Sequence, residues 1–172
     1  MVKQLTAAQE SYEKGALGKN IKFWGCFSAF GVGNIVKIEG NITGQKYREI
    51  LNDNLEKSIE KMEIEEEFER NEIRIIQDND SKHQSKIGKE YFSEKPFKTF
   101  PPSSHDLNPI EHLWAFLKRE VDRKKPNNLE ELWDFVGKEW DNLKIDFLKN
   151  LVHSMPNRLE EVIRAEGYST NY

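Results

Sequence analysis

Two carboxylates stand out by the sequence that surrounds each of them. Asp78 comes just past the end of the apolar run in EIRIIQDND, and Glu111 lies within DLNPIEHLW, with 32 residues between the two. Carboxylate oxygens are the ligands that hard divalent cations prefer, so a fold that brought this pair together could support metal-dependent chemistry. Each residue alone also has a plainer structural interpretation.

Glu111 stands where a helix is predicted to begin. Asn108 is a favourable N-cap, Pro109 suits the first helical position, and Glu111 falls at the third position of a capping box. Apolar residues then recur at helical spacing on one face, at Ile110, Leu113, Trp114, Leu117 and Val121. On the plainer interpretation Glu111 is a helix cap and has no catalytic role.

Asp78 stands at the end of a predicted strand. The short, nearly continuous apolar run before it is typical of a strand that is buried on both faces, as in a parallel sheet. In open α/β sheets, ligand-binding groups gather at the carboxyl ends of strands. Asp78 is therefore a candidate site residue, with a simple turn-forming role as the alternative.

The whole chain is predicted to form one α/β domain. A β-hairpin over 21–28 and 34–39 precedes an amphipathic helix over 43–62, the strand that ends before Asp78, a short helix over 82–92 and a short strand in PFKTF. The helix from Asn108 completes a ββαβαβα order, and only helices follow it. Residues 1–20 show no strand pattern and are predicted to be a poorly ordered leader before the domain at 21–172.

Composition limits the class of protein. The net charge of −4 and pI of about 5.7 provide no overall basic field, so any contact with nucleic acid needs a local basic patch. Cys26 is the only cysteine, which excludes an internal disulfide. No apolar run approaches the length of a membrane span. We expect a soluble intracellular protein.

Four segments, in this order and at these separations, carry a resemblance to a known family: WGCFSAFGVGN, QDNDSKH, DLNPIEHLW and SMPNRLEEVIRAEGYSTNY. They resemble the C-terminal part of the catalytic domain of mariner-superfamily, Tc-type, transposases. The resemblance runs over residues 20–172. It implies a DDE domain of ribonuclease H-like fold and an inherited activity of cut-and-paste DNA transposition.

In such a domain three carboxylates hold two Mg²⁺ ions, or Mn²⁺, and two ions can stabilise both the attacking and the leaving oxygen of a phosphodiester. The resemblance matches Asp78 to the second acid and Glu111 to the third. Asn79, His83 and Asn108 match the polar residues that accompany these acids. Turn and cap chemistry remains the alternative for these three residues.

The first acid of the family is missing from the chain. The resemblance places it on a first, central strand upstream of WGCFS, but no aspartate precedes Asp53, and Glu10 and Glu13 lie in the predicted leader. The sequence therefore predicts a truncated ribonuclease H-like domain that is inactive by itself. Either residues 1–20 fill the central strand badly, or the sheet closes differently. The N-terminal helix-turn-helix modules of such transposases are also not found.

A basic cluster near the end of the Glu111 helix is the candidate DNA contact. It consists of Lys118, Arg119, Arg123, Lys124 and Lys125. Such a cluster can follow phosphates, although a solvated helix face is the alternative. The resemblance further implies DNA as partner, a possible homo-oligomer and a nuclear location.

Three functional hypotheses remain open. The chain is a piece of a metal-dependent transposase, a catalytically inactive module that binds DNA or protein, or a structural domain in which Asp78 and Glu111 are only turn and cap residues.

Overall fold

The computed structural model describes residues 4–14, 19–65, 69, 72–77, 86–93, 107–166 and 168. Its four strands are β1 (Gln4–Lys14), β2 (Lys19–Ser28), β3 (Gly31–Ile38) and β4 (Arg74–Ile76). They form one sheet in the order β3-β2-β1-β4. Strand β1 pairs antiparallel with β2 from Leu5 to Lys14 and parallel with β4 from Gln4 to Thr6. The first strand in the sequence is thus a central strand of the sheet.

This strand corrects the prediction of a poorly ordered leader at residues 1–20. Within that segment, Gln4–Lys14 is strand β1, and β2 already begins at Lys19. The open alternative that these residues fill the central strand is confirmed. The predicted absence of a first strand is wrong, because the backbone of this segment supplies the hydrogen bonds that the inner edges of β2 and β4 need.

Most of the other predicted elements are confirmed. The hairpin is β2 and β3, and the predicted helix over 43–62 consists of α1 (Gly44–Ile50), a π-helical turn at Leu51–Leu55 and α2 (Glu56–Glu65). Strand β4 is parallel to β1, as its apolar run predicted.

Five further helices follow in sequence: α3 (Lys86–Ser93), α4 (Pro109–Lys124), α5 (Leu129–Asp141), α6 (Ile145–His153) and α7 (Met155–Arg164). Helix α3 corresponds to the predicted short helix over 82–92. The predicted strand over 96–100 lies outside the described residues. The order of strands followed by C-terminal helices agrees with the predicted α/β class.

Two apolar layers cover the two faces of the sheet. On one face, side chains of β1 and β2 pack against α4, α5 and α6, and on the other face they pack against α1, the π-helical turn and α2. Strand β1 serves both layers by alternation, since Ala8 and Tyr12 belong to the α4 side whereas Leu5 and Ala7 belong to the α1 side. Residues of β1 with even numbers therefore face α4.

Gly25 allows the C-terminal helices to approach the sheet closely. The indole rings of Trp114 on α4 and Trp140 on α5 stack with centroids 5.4 Å apart. A Cβ atom on Gly25 would lie only 3.0 Å from an atom of each ring, which is closer than ordinary van der Waals contact. The Trp140 indole N–H also donates to the Gly33 carbonyl at 2.9 Å. These contacts fix α4 and α5 against β2 and β3.

Candidate active site

The N-terminus of α4 carries the only acid of the predicted pair that lies within the described residues. Asn108 caps the helix, since its side-chain oxygen accepts from the Ile110 N–H at 3.4 Å, and Pro109 follows at the first helical position. Glu111 lies in the first turn and is half-buried. The helix dipole and the free N–H groups of this turn stabilise a carboxylate there. The predicted helix start at Asn108 is confirmed.

Asn108 is buried more deeply than a cap requires. Its exposed fraction is 1%, and its side-chain nitrogen has no hydrogen-bond partner among the described residues. A buried amide N–H without a partner has a cost in free energy that a surface cap such as Asn128 avoids. The capping bond to Ile110 is the one hydrogen bond that the described residues show for the Asn108 side chain.

Strand β1 runs beside α4 and is joined to it by two side-chain contacts. The Glu10 carboxylate forms an ion pair with Lys118 at 3.1 Å, and the Tyr12 hydroxyl donates to the Asp122 carboxylate. Burial raises the pKa of Tyr12 to about 12, and Asp122 contributes to the shift through the hydrogen bond and its negative charge. Glu10 is thus part of a strand that faces α4, contrary to its predicted place in a leader.

The next position back along β1 on this face is Ala8. Its side chain is fully buried in the layer that also contains Ile110 and Trp114 of α4. Thr6, one further step back, is equally buried, and its hydroxyl accepts from the Gln4 amide at 3.3 Å. At the level of the first turns of α4, β1 therefore presents a methyl group and a hydroxyl group, and no carboxylate.

Two of the five cations in the basic cluster on α4 form ion pairs with acidic side chains. Lys118 contacts Glu10, and Arg123 contacts Glu120 at 2.9 Å. Arg119, Lys124 and Lys125 are exposed. Lys125 ends the helix in the left-handed conformation with φ 50°. The exposed positive charge is thus concentrated at the C-terminal end of α4, away from Glu111.

Most of the chain matches one protein family. Residues 8–133 match the sequence profile of a family described as DDE superfamily endonuclease. The chain belongs to this family. The match begins on β1, so this DDE endonuclease chain includes the central strand within its family region.

The curated relatives of this DDE endonuclease chain are transposases. The transposable element Tcb2 transposase of Caenorhabditis briggsae is 31% identical over 157 residues, which cover 90% of this chain and 55% of the relative. The transposable element Tc3 transposase of Caenorhabditis elegans is 31% identical over 159 residues, covering 90% and 46%. The chain thus spans about half the length of the curated relatives that it matches. The predicted membership of the mariner superfamily is confirmed.

Solved structures confirm the fold. The Mos1 transposase catalytic domain with raltegravir and Mg has a TM-score of 0.84 and 15% identity, covering 99% of this chain and 86% of that chain. The Mos1 strand transfer complex has a TM-score of 0.82 and 14% identity, covering 99% and 56%. The predicted ribonuclease H-like class with C-terminal helices is therefore correct.

The predicted site residues of this DDE endonuclease chain fall into two groups. Glu111 and Asn108 are placed together at the start of α4. Asp78, Asn79 and His83 follow Gln77 in sequence and lie outside the described residues, so their roles stay predictions. Gln77 itself is buried, and its side-chain oxygen accepts from the Tyr47 hydroxyl at 2.7 Å.

Two kinds of feature are not found in the part of the chain that the structure describes. Within it, no three histidine, cysteine, aspartate or glutamate side chains are grouped so that they could hold a metal ion. No helix in that part is long and apolar enough to cross a membrane.

The sequence reasoning missed the role of β1 in the site. The alternation in this strand is weak, because one face presents Thr6, Ala8 and Glu10 rather than bulky apolar residues. A signal was nevertheless available, since leaving out a central strand leaves unpaired edges on both of its neighbours.

Proposed function

We propose that this chain is a transposase-type domain that binds duplex DNA through the C-terminal end of α4 and does not cleave DNA by itself. The observation that carries the proposed lack of cleavage is a difference between two neighbouring elements. Glu111 lies at the start of α4, and the facing side of β1 has no acid at the same level. The fold and one helix acid are present, and the acid from the central strand is absent.

The metal centre is the point at which the chain departs from its family. The family resemblance would assign Asp78 and Glu111 as ligands for Mg²⁺ or Mn²⁺, with Asn79, His83 and Asn108 as supporting residues. Bound divalent ions would activate a water or hydroxyl oxygen for attack on a phosphodiester. Thr6 and Ala8 provide no carboxylate on the α4-facing side of β1, and Glu10 is paired with Lys118. These residues do not fit a two-ion centre, so we assign no cleavage step to the chain.

The DNA contact rests on charge and position. Arg119, Lys124 and Lys125 are exposed cations near the C-terminal end of one helix. Exposed arginine and lysine side chains bind phosphates without sequence preference and release counterions as they do so. A structural relative supports the same partner, because one solved Mos1 structure is a paired-end complex with the left transposon end. We also propose assembly into a homo-oligomer and a nuclear location.

The test measures how the purified chain binds a short labelled DNA duplex, with fluorescence anisotropy as the readout, at several salt concentrations. We expect binding that weakens with salt. The double substitution Lys124→Ala/Lys125→Ala should weaken binding and lower the salt slope by about 1.8, since each phosphate contact contributes about 0.9. The matched control is Lys57→Ala/Lys89→Ala, which removes the same charge from exposed positions on α2 and α3.

Three results would contradict the proposal. Absence of binding at low salt, or equal weakening by both double variants, would exclude the α4 surface as a DNA contact. Nicking of the duplex in the presence of Mn²⁺ that disappears in Glu111→Gln would show that the acids present are sufficient for cleavage.

A further inference from the structure

The contacts between β1 and α4 establish how the strand and the helix are aligned. Glu10 meets Lys118 and Tyr12 meets Asp122, so two residues along the strand correspond to four residues along the helix. Two strand residues rise about 6.7 Å and four helix residues rise about 6.0 Å. The two elements therefore run side by side in the same direction over this region.

The same alignment can be followed back toward the start of α4. One step from Glu10 and Lys118 leads to Ala8 and Trp114, which share the same buried layer. A further step leads to Thr6 and Ile110, so Glu111, one residue after Ile110, lies at a level between those of Thr6 and Ala8. Its carboxylate thus lies on the margin of α4 that borders the even-numbered residues at the start of β1.

Ala8 rather than Thr6 is the position next to the carboxyl end of β4. Thr6 is the last β1 residue paired with β4, opposite Ile76, and its hydroxyl already accepts from Gln4. Ala8 comes two residues after Thr6 in the sequence, and Asp78 comes two residues after Ile76. Binding groups of parallel strands gather at this end.

Glu10 does not substitute for an acid at position 8. It lies about 6.7 Å further along the strand, a distance that exceeds the metal-to-oxygen distances of one coordination sphere several times. Its carboxylate is also engaged by the Lys118 ammonium group at 3.1 Å. A cation bound there would have to displace a lysine that the fold places beside the strand.

We infer that Ala8 occupies the position from which β1 would have to supply a metal ligand opposite Glu111, and that the lack of a carboxylate at this one position is what prevents the chain from holding a divalent cation. The inference deepens the proposed absence of cleavage and rests on that part of the proposed function. It does not depend on DNA binding.

The test is the thermal stability of the full chain with and without Mn²⁺ in four forms: unchanged, Ala8→Asp, Ala7→Asp and Ala8→Asp/Glu111→Gln. In EDTA, Ala8→Asp should unfold at a lower temperature than the unchanged chain, because a buried carboxylate without a partner is costly. Saturating Mn²⁺ should raise its Tm by about 5–10 °C, as expected for a ligand about a hundredfold above its Kd. The unchanged chain should show no such rise.

Ala7→Asp is the matched control, because Ala7 is equally buried but faces the α1 layer. It should be destabilised to a similar extent and should not recover with Mn²⁺. The double variant should not recover either, since its helix ligand is removed. A Glu111-dependent rise in the Tm of the unchanged chain, or no rise in Ala8→Asp, would overturn the inference. DNA binding measured on the same samples reports separately on the proposed function.

If Ala8→Asp does not fold, Ala8→Cys provides the second measurement, since this side chain is small and neutral in the apo protein. Its thiolate should bind Cd²⁺, a soft cation, with ultraviolet charge-transfer absorbance that the unchanged chain lacks. The native Cys26 is present in both proteins, so any absorbance from its thiol cancels in the comparison. Equal absorbance in the unchanged chain and in Ala8→Cys would overturn the inference.

Discussion

Helix α4 and strand β1 face each other across the candidate site, and they differ in the side chains that they bring to it. The start of α4 presents Glu111 beside the buried cap Asn108, in the geometry that favours a carboxylate. The facing part of β1 presents Ala8, and its only described α4-facing acid, Glu10, is paired with Lys118.

This difference shows that the scaffold and the chemistry are specified by separate residues. The approach of α4 to the sheet depends on Gly25, Trp114 and Trp140, none of which could ligate a hard cation. A methyl group at position 8 is compatible with that packing. The acid on β1 can therefore be absent while the fold remains.

The largest expected effect concerns the scaffold. Trp140→Ala should lower the free energy of unfolding by about 3–5 kcal/mol, because it empties a fully buried site and removes the indole hydrogen bond to Gly33. Urea denaturation measures the change. Trp133→Ala is the control on the same helix, since Trp133 is only half-buried and should cost much less. Equal losses would show that the stacked pair does not fix α4 and α5 to the sheet.

An intermediate effect concerns the junction of β1 and α4. Tyr12→Phe removes a hydrogen bond to a carboxylate and should cost about 1.5–3 kcal/mol at neutral pH. The folded-state pKa of Tyr12 is about 12, above its ordinary value of 10.0, so its contribution is fully present below pH 10 and is lost as the pH rises toward 12.

The unfolding free energy of the unchanged chain and of Tyr12→Phe, measured from pH 8 to pH 12, tests this point. The difference between the two curves should shrink above pH 10. Cys26 also has a raised pKa, but it is present in both proteins and its contribution cancels in the difference. A constant difference over the whole range would contradict the assigned contact between the Tyr12 hydroxyl and Asp122.

The smallest expected effect compares two helix starts. Asn128 is exposed and accepts from two N–H groups, of Glu130 at 3.0 Å and Glu131 at 2.9 Å, whereas Asn108 accepts from one at 3.4 Å and leaves its amide nitrogen without a described partner. Asn128→Ala should therefore cost about 1–2 kcal/mol of unfolding free energy and Asn108→Ala about 0.5–1 kcal/mol. Thermal and urea unfolding provide the measurement. A larger loss at Asn108 would show that its burial contributes more than its capping bond.

The sequence predicted the α4 half of the site better than the β1 half, for a physical reason. Asn108, Pro109 and Glu111 act through neighbours within one helical turn, so their pattern is visible locally. Strand β1 owes its existence to β2, to β4 and to two helical layers, and its small or polar side chains have little intrinsic preference for a strand. Only the unpaired edges of its neighbours indicated that it was needed.

The predictions at Asn79 and His83 differ again, because they came from the family resemblance alone, whereas the end of the predicted strand also indicated Asp78. Strand β4 ends at Ile76, close to the predicted strand end. The metal and supporting roles of these three residues stay predictions.

The central claim is tested most directly by a titration of Mn²⁺ into the unchanged chain. Electron paramagnetic resonance measures the free ion at each step. Glu111→Gln serves as the comparison. We expect the free Mn²⁺ signal to rise in proportion to the Mn²⁺ added and to be the same for both proteins. Saturable removal of one or two ions per chain that is lost in Glu111→Gln would contradict the central claim, because the acids present would then be sufficient to hold a metal ion.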